Sequence, residues 1–214
     1  MNEVRTLEQL VDATDADLAW RKHELSAWST LLSRTDPPQR DAYLRGAWAL
    51  LYAHWEGFVK SAATMYLEYV SRQGLTIEAL SDSLVAVAMR GAISSAVESR
   101  HGSAHTQLVS SIRAGRAKAR LPFDSATVKT NANLKFDAFA EVLWSVGCDP
   151  EPFRSIQTDI DKSLLRNRND IAHGKYLVVD IEDWDALRAK VVQTLDEVRT
   201  QLQNAASQGD YKRQ

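Results

Sequence analysis

Residues 166–174 read RNRNDIAHG, which places two arginines, two asparagines, an aspartate and a histidine ahead of a glycine. Histidine has an unperturbed pKa near neutrality, so it can take a proton and give one back. Arginine is a fixed fork of donors suited to phosphate oxygens and to the negative charge that develops on them. Together they suit cleavage of a phosphodiester without a metal. Spacing alone leaves the arginine open. Arg168 and His173 are five apart, about 140° around a regular helix, whereas Arg166 and His173, seven apart, fall within about 20° of each other. Gly174 lets the chain turn into the left-handed region, so His173 stands where helical geometry stops and its ring can be re-aimed toward Arg168. A structural reading competes. Arginine and histidine near a helix C-terminus are favoured by the helix dipole, and Asp170 is spaced to pair with Arg166 on a surface.

Two further stretches bear on chemistry. LYAHWEGFVK, 51–60, sets His54, Glu56 and Lys60 into an apolar stripe. Glu56 and Lys60 are spaced as a surface salt bridge, and the sharper alternative is that His54 or Glu56 borders a site. Gly57 costs about 1 kcal/mol against alanine inside a helix, which points to close approach of a neighbouring helix. IRAGRAKAR, 112–120, carries Arg113, Arg116, Lys118 and Arg120. Four cations so close together suit an RNA backbone, or simply a solvated helix face. No phosphate-binding glycine loop, HExxH or GxSxG motif is present, and neither the pair His101 and His105 nor Cys148 has partners that read as a metal site. No metal and no cofactor is expected.

The elements that must position these residues show a helical period. Apolar stripes run from about Thr6 to Ser33, with a stop at Asp36-Pro37-Pro38, and from about Gln39 to Gln73, ended by Gly74. A third segment starts at Thr76 and frays at Arg100-His101-Gly102. The least patterned part is 103–130, with a short helix expected over Thr106 to Ala119. A fourth segment runs from near Asn133 to Gly147, a fifth from about Phe153 to Ala172, and a sixth from Asp183 to about Asn204. The one β-like run, 176–181, has no partner strand and reads as an extended connector. The fold class is therefore all-α: a bundle of five to six helices with a less regular middle, as one domain over 1–206. The tail, 207–214, has little to bury and is expected to be mobile.

The 214 residues, 44% apolar and 25% charged, are ordinary for one folded domain, and a net charge of −2 advertises no general polyanion binder, so any nucleic-acid contact must come from a local basic patch. A single cysteine forms no internal disulfide, and no apolar run approaches the ~20 residues that span a bilayer. A soluble, cytoplasmic protein is the expectation.

RNDIAHG resembles the Arg-x4–6-His signature of HEPN domains (higher eukaryotes and prokaryotes nucleotide-binding), in the Arg-Asn-x-Ile-Ala-His-Gly form of many bacterial members. YAHWEGF is similar to a helix-two stretch of one prokaryotic subfamily, and TNANL, 130–134, to its Thr-x-x-Asn-Leu segment. The resemblance implies an all-α homodimer whose two motif copies meet across a cleft. It also implies a metal-independent endoribonuclease, often a toxin or anti-phage effector working with an antitoxin or defence partner. Carried over by motif, Arg168 and His173 are the catalytic pair and Asn169 the polar residue after the arginine. Arg166, Asp170, Glu56 and His54 are supporting candidates. His173 would assist attack of the RNA 2′-hydroxyl and Arg168 would stabilise the pentacovalent intermediate, leaving a 2′,3′-cyclic phosphate. The alternative is a HEPN module that binds RNA, nucleotide or a partner protein without cutting. Arg166 satisfies the looser spacing to His173 as well. Tyr176 stands one residue beyond the tyrosine that follows the histidine in some HEPN toxins.

Overall fold

A computed structural model of the chain describes residues 3–115, 119, 121–122 and 133–214. Seven α-helices run through the described residues: α1 (Leu7–Arg34), α2 (Pro37–Arg72), α3 (Asp82–Glu98), α4 (Gly102–Arg113), α5 (Phe136–Ser145), α6 (Leu165–Ala172) and α7 (Ile181–Gln208). The all-α bundle expected from the sequence is the fold observed.

Each long helix starts where its sequence supplies a start. Thr6 caps α1 through a capping box with Gln9. Pro37 and Pro38 open α2, where their missing donors cost nothing. The Asp180 side chain accepts from the Glu182 backbone N–H at 2.8 Å and caps α7. α1 buries Leu10, Thr14, Leu18, Arg21, Leu25 and Leu32, a three- and four-residue repeat that forms one seam. α2 lies at the centre, packed against α1, α7, α6 and α5. Trp55, Phe58 and Tyr66 of α2 and Trp184 of α7 are among the largest fully buried side chains.

Several local readings change. The third segment is broken at Leu80 and Ser81: a single 3₁₀ turn, Ile77–Ala79, precedes α3. The short helix after it begins at Gly102 rather than Thr106. The fifth segment is not one regular helix. A 3₁₀ turn, Glu151–Ile156, leads into a π-helical turn, Asp159–Leu164, and only then into α6. The connector at 176–180 carries no strand.

The tail also differs from expectation. Helix α7 continues to Gln208 and ends at Gly209, whose φ of +76° is the left-handed cap that favours glycine. Tyr211 is buried, edge-on to Tyr69 at 5.8 Å. Its carbonyl accepts from the Ser81 N–H, and the Arg213 N–H donates to Ala79 O, both at 2.9 Å. The premise that the tail has little to bury does not hold, because one aromatic and a short antiparallel bridge, Leu80 to Lys212, tie it to the break before α3. No helix among the described residues is long and apolar enough to cross a membrane.

Candidate active site

Helix α6 is short, and its end is fully specified. The Lys175 N–H donates to Asp170 O at 2.9 Å and the Gly174 N–H to Ile171 O at 3.0 Å, with Gly174 at φ +71°. These two bonds make a Schellman cap. His173 is therefore the C-cap residue, at φ −89° and ψ 12°, and it is exposed. At the other end, the π turn sets the register from which α6 departs. Asp161 in that turn accepts from the Phe136 N–H at 2.8 Å and so fixes the start of α5.

Arg168 points toward α2. Its guanidinium carbon lies over the Tyr52 ring, 4.2 Å from the centroid, a cation–π contact. Its Nη1 donates to Asn169 Oδ1 at 2.8 Å and to Asn133 Oδ1 at 3.2 Å. Tyr52 is itself fixed. Its hydroxyl accepts from the Leu134 N–H at 2.8 Å and is hydrogen-bonded to Glu56. Burial, reinforced by the Glu56 carboxylate, pushes its pKa up to about 12, so it stays a neutral phenol. The Trp55 indole N–H donates to Leu134 O at 3.1 Å. Two residues of α2 thus clasp both backbone groups of Leu134, which is fully buried. Glu56 is held from its far side by Lys60 at 2.9 Å.

The motif's other charges lie on the opposite, solvent-facing side. Arg166 is exposed and makes no hydrogen bond or ion pair with the described residues. Asp170 pairs with Lys175 at 2.7 Å, not with Arg166. The Lys175 hydrogen bond holds the Asp170 carboxyl below its usual range, helped by the charges of Arg166 and His173 nearby. Within one chain the described contacts of Arg168 are Tyr52, Asn133 and Asn169, and the His173 ring is not among them.

Three stretches far apart in sequence therefore meet at Arg168: the YAHWEGF turn of α2, the residues leading into α5, and the RNRNDIAHG helix. The chain matches the MAE_28990-like HEPN family over residues 10–211, nearly its full length. It belongs to the HEPN family. No curated protein and no solved structure matches it.

The other sequence candidates of this HEPN domain fall in different places. Glu56 borders the Arg168 site through Tyr52. His54, two residues earlier on α2, faces the other way: it is buried, with Nε2 2.9 Å from Glu24 Oε2 and its ring edge-on to Trp20 at 5.2 Å. Burial is the main cause of its lowered pKa, and the Arg21 charge adds to it against Glu24 and Asp17. The structure therefore brings His54 to α1, not to Arg168. Gly57 has the reason expected of it. A Cβ there would lie 2.7 Å from Nη1 of Arg21, which α1 inserts against α2. Arg113 is exposed at the end of α4, which packs on α3, whereas α6 packs on α2. Arg116, Lys118 and Arg120 lie outside the described residues, as do Thr130 to Ala132 of the TNANL segment.

Sequence reasoning missed Tyr52 and Asn133 as site residues. One signal was available: Tyr52 and Glu56 are four apart and share a helix face. Asn133 had another, as the asparagine of the Thr-x-x-Asn-Leu resemblance, but only the fold brings it to Arg168.

Proposed function

We propose that this HEPN domain is a metal-independent endoribonuclease in which Arg168 and His173 do the chemistry. The observation that carries the reading is the asymmetric treatment of the two arginines. Arg168 is held over the Tyr52 ring and hydrogen-bonded into place, while Arg166 is left to solvent. A preorganised fork is what charge development on a phosphorane requires. In the reaction, His173 takes the proton of the 2′-hydroxyl as that oxygen bonds to phosphorus. Arg168 stabilises the pentacovalent intermediate. The 5′-oxygen of the next nucleotide leaves and is protonated, giving a 2′,3′-cyclic phosphate and a 5′-hydroxyl. The exposed His173 suits a site completed across a homodimer cleft, with Arg166 free to contact the RNA backbone. The biological setting would be a cytoplasmic toxin or anti-phage effector with an antitoxin or defence partner.

The test is cleavage of single-stranded RNA in EDTA by wild type and His173→Ala, with oligomeric state and helicity measured alongside. Wild type cuts and leaves cyclic phosphate ends; His173→Ala stays folded and does not cut. Cleavage that survives in His173→Ala, or an absolute need for a divalent metal, refutes the reading. A second reading, binding of RNA, nucleotide or a partner protein without cutting, is favoured by one fact: Arg168 and His173 make no described contact within a chain. It predicts RNA retention by wild type with no product.

A further inference from the structure

The Arg168 guanidinium is held in a way that divides its donors. Its Cζ lies over the Tyr52 ring, 4.2 Å from the centroid, and Nη1 is taken by the side-chain oxygens of Asn133 and Asn169. Nε and Nη2 meet no acceptor among the described residues. Those two nitrogens form one edge of the fork, the edge that grips a phosphate with two parallel hydrogen bonds. We propose that Tyr52 and Asn133 are positioning residues that aim this free edge of Arg168 at the scissile phosphate, an inference that rests on the ribonuclease reading above.

Three features make the arrangement specific. First, both acceptors on Nη1 are amide oxygens. An amide orients the guanidinium without neutralising it, so the full charge stays available to the phosphate; a carboxylate in the same place would compete. Second, the Tyr52 ring supports the guanidinium from one side while two hydrogen bonds hold Nη1, so together they restrain its pose. Third, one residue fixes both restraints. The Tyr52 hydroxyl accepts the Leu134 N–H at 2.8 Å, and Leu134 follows Asn133 directly. The ring that supports Arg168 therefore also anchors the loop that supplies its acceptor. Glu56, bonded to the same hydroxyl and to Lys60, helps hold that hydroxyl in place.

The experiment compares full-length wild type, Tyr52→Phe, Tyr52→Leu and Asn133→Asp. It reads steady-state kcat and KM on single-stranded RNA, together with the arginine Nε–H resonances by NMR. The Arg168 signal is assigned by its loss in Arg168→Lys. Tyr52→Leu should lower kcat about 10²-fold, the size expected when a reacting group is misplaced by about 1 Å, with KM little changed. Tyr52→Phe keeps the ring and should fall between it and wild type. Asn133→Asp preserves the hydrogen bond but adds the competing charge, so kcat/KM drops at least tenfold; a purely structural bond would survive that change. Wild-type kinetics in folded Tyr52→Leu and Asn133→Asp overturn the proposal. If Tyr52→Leu does not fold, Asn133→Asp decides. If wild type itself cuts no RNA, the ribonuclease reading has failed separately. Positioning is then read from the Arg168 resonance alone: its collapse in Tyr52→Leu upholds the assignment, and an unchanged signal refutes it.

Discussion

The Leu134 N–H donates to the Tyr52 hydroxyl at 2.8 Å across 82 residues of sequence, in the buried interior beside Arg168. This bond joins a helix of the bundle to the start of α5. Through it, stability and site geometry depend on the same atom.

Tyr52→Phe removes the acceptor and leaves the buried Leu134 N–H without its partner. The expected loss is about 1–3 kcal/mol. For a chain of this size each kcal/mol corresponds to about 2–4 °C in Tm. Urea unfolding at neutral pH measures it. A midpoint equal to that of wild type would mean water replaces the hydroxyl and the bond contributes nothing.

The two motif arginines should separate kinetically. Arg168→Ala is expected to lower kcat by about 10²–10³, the cost of losing one transition-state donor. Arg168→Lys rescues little, because an ammonium neither stacks nor forks. Arg166→Ala should act on binding, raising KM and flattening the salt dependence by about one unit. If Arg166→Ala carries the larger kcat defect, the assignments must be exchanged.

Glycine-to-alanine changes should have opposite signs at two positions. Gly174 has φ +71° and open space around its Cα, so alanine there meets only the backbone penalty of the left-handed region, about 1–2 kcal/mol. Gly91 lies inside α3 with nothing near a Cβ, so alanine there should stabilise by up to about 1 kcal/mol. Thermal melts of both variants test this. In addition, Gly174→Ala should reduce RNA cleavage beyond its effect on folding, because the cap orients His173.

Stability should fall as pH drops below about 6.5, the unperturbed value for histidine. Burial holds the folded-state pKa of His54 below that value. Between the two pKa values the unfolded chain binds a proton that the folded chain refuses, so the unfolded state gains as pH falls. The carboxylates with lowered pKa, Glu3, Asp170 and Asp180, contribute stability lost only at more acidic pH. His54→Gln should flatten the upper window and leave the lower one. Denaturant midpoints from pH 7.5 to 4 resolve the two, and an unchanged upper slope in His54→Gln would remove His54 as its cause.

Much of this was written in local sequence. The period of Leu10, Leu18, Leu25 and Leu32 fixed the buried seam of α1, and Asp36-Pro37-Pro38 and Gly174 marked where helices stop, because capping and backbone freedom act over a few residues. Gly57 announced a close neighbour before that neighbour, Arg21, could be named. The motif residues were visible by type, and RNRNDIAHG carried its family resemblance together with YAHWEGF and TNANL in that order along the chain. Which arginine is held, and by what, was not legible. Arg166 and Arg168 have similar sequence surroundings, and only the packing of α6 on α2 turns one inward to Tyr52 and leaves the other in water. His54 and Glu56 look equivalent in a string, yet they stand about 200° apart around the helix, so one meets α1 and the other the site. Tyr211 looked like part of a spare tail until Tyr69 and Ser81 gave it partners. Helix ends and stripes follow from neighbours in the chain; a site made by residues 52, 133 and 168 exists only once long-range packing has closed the distance between them.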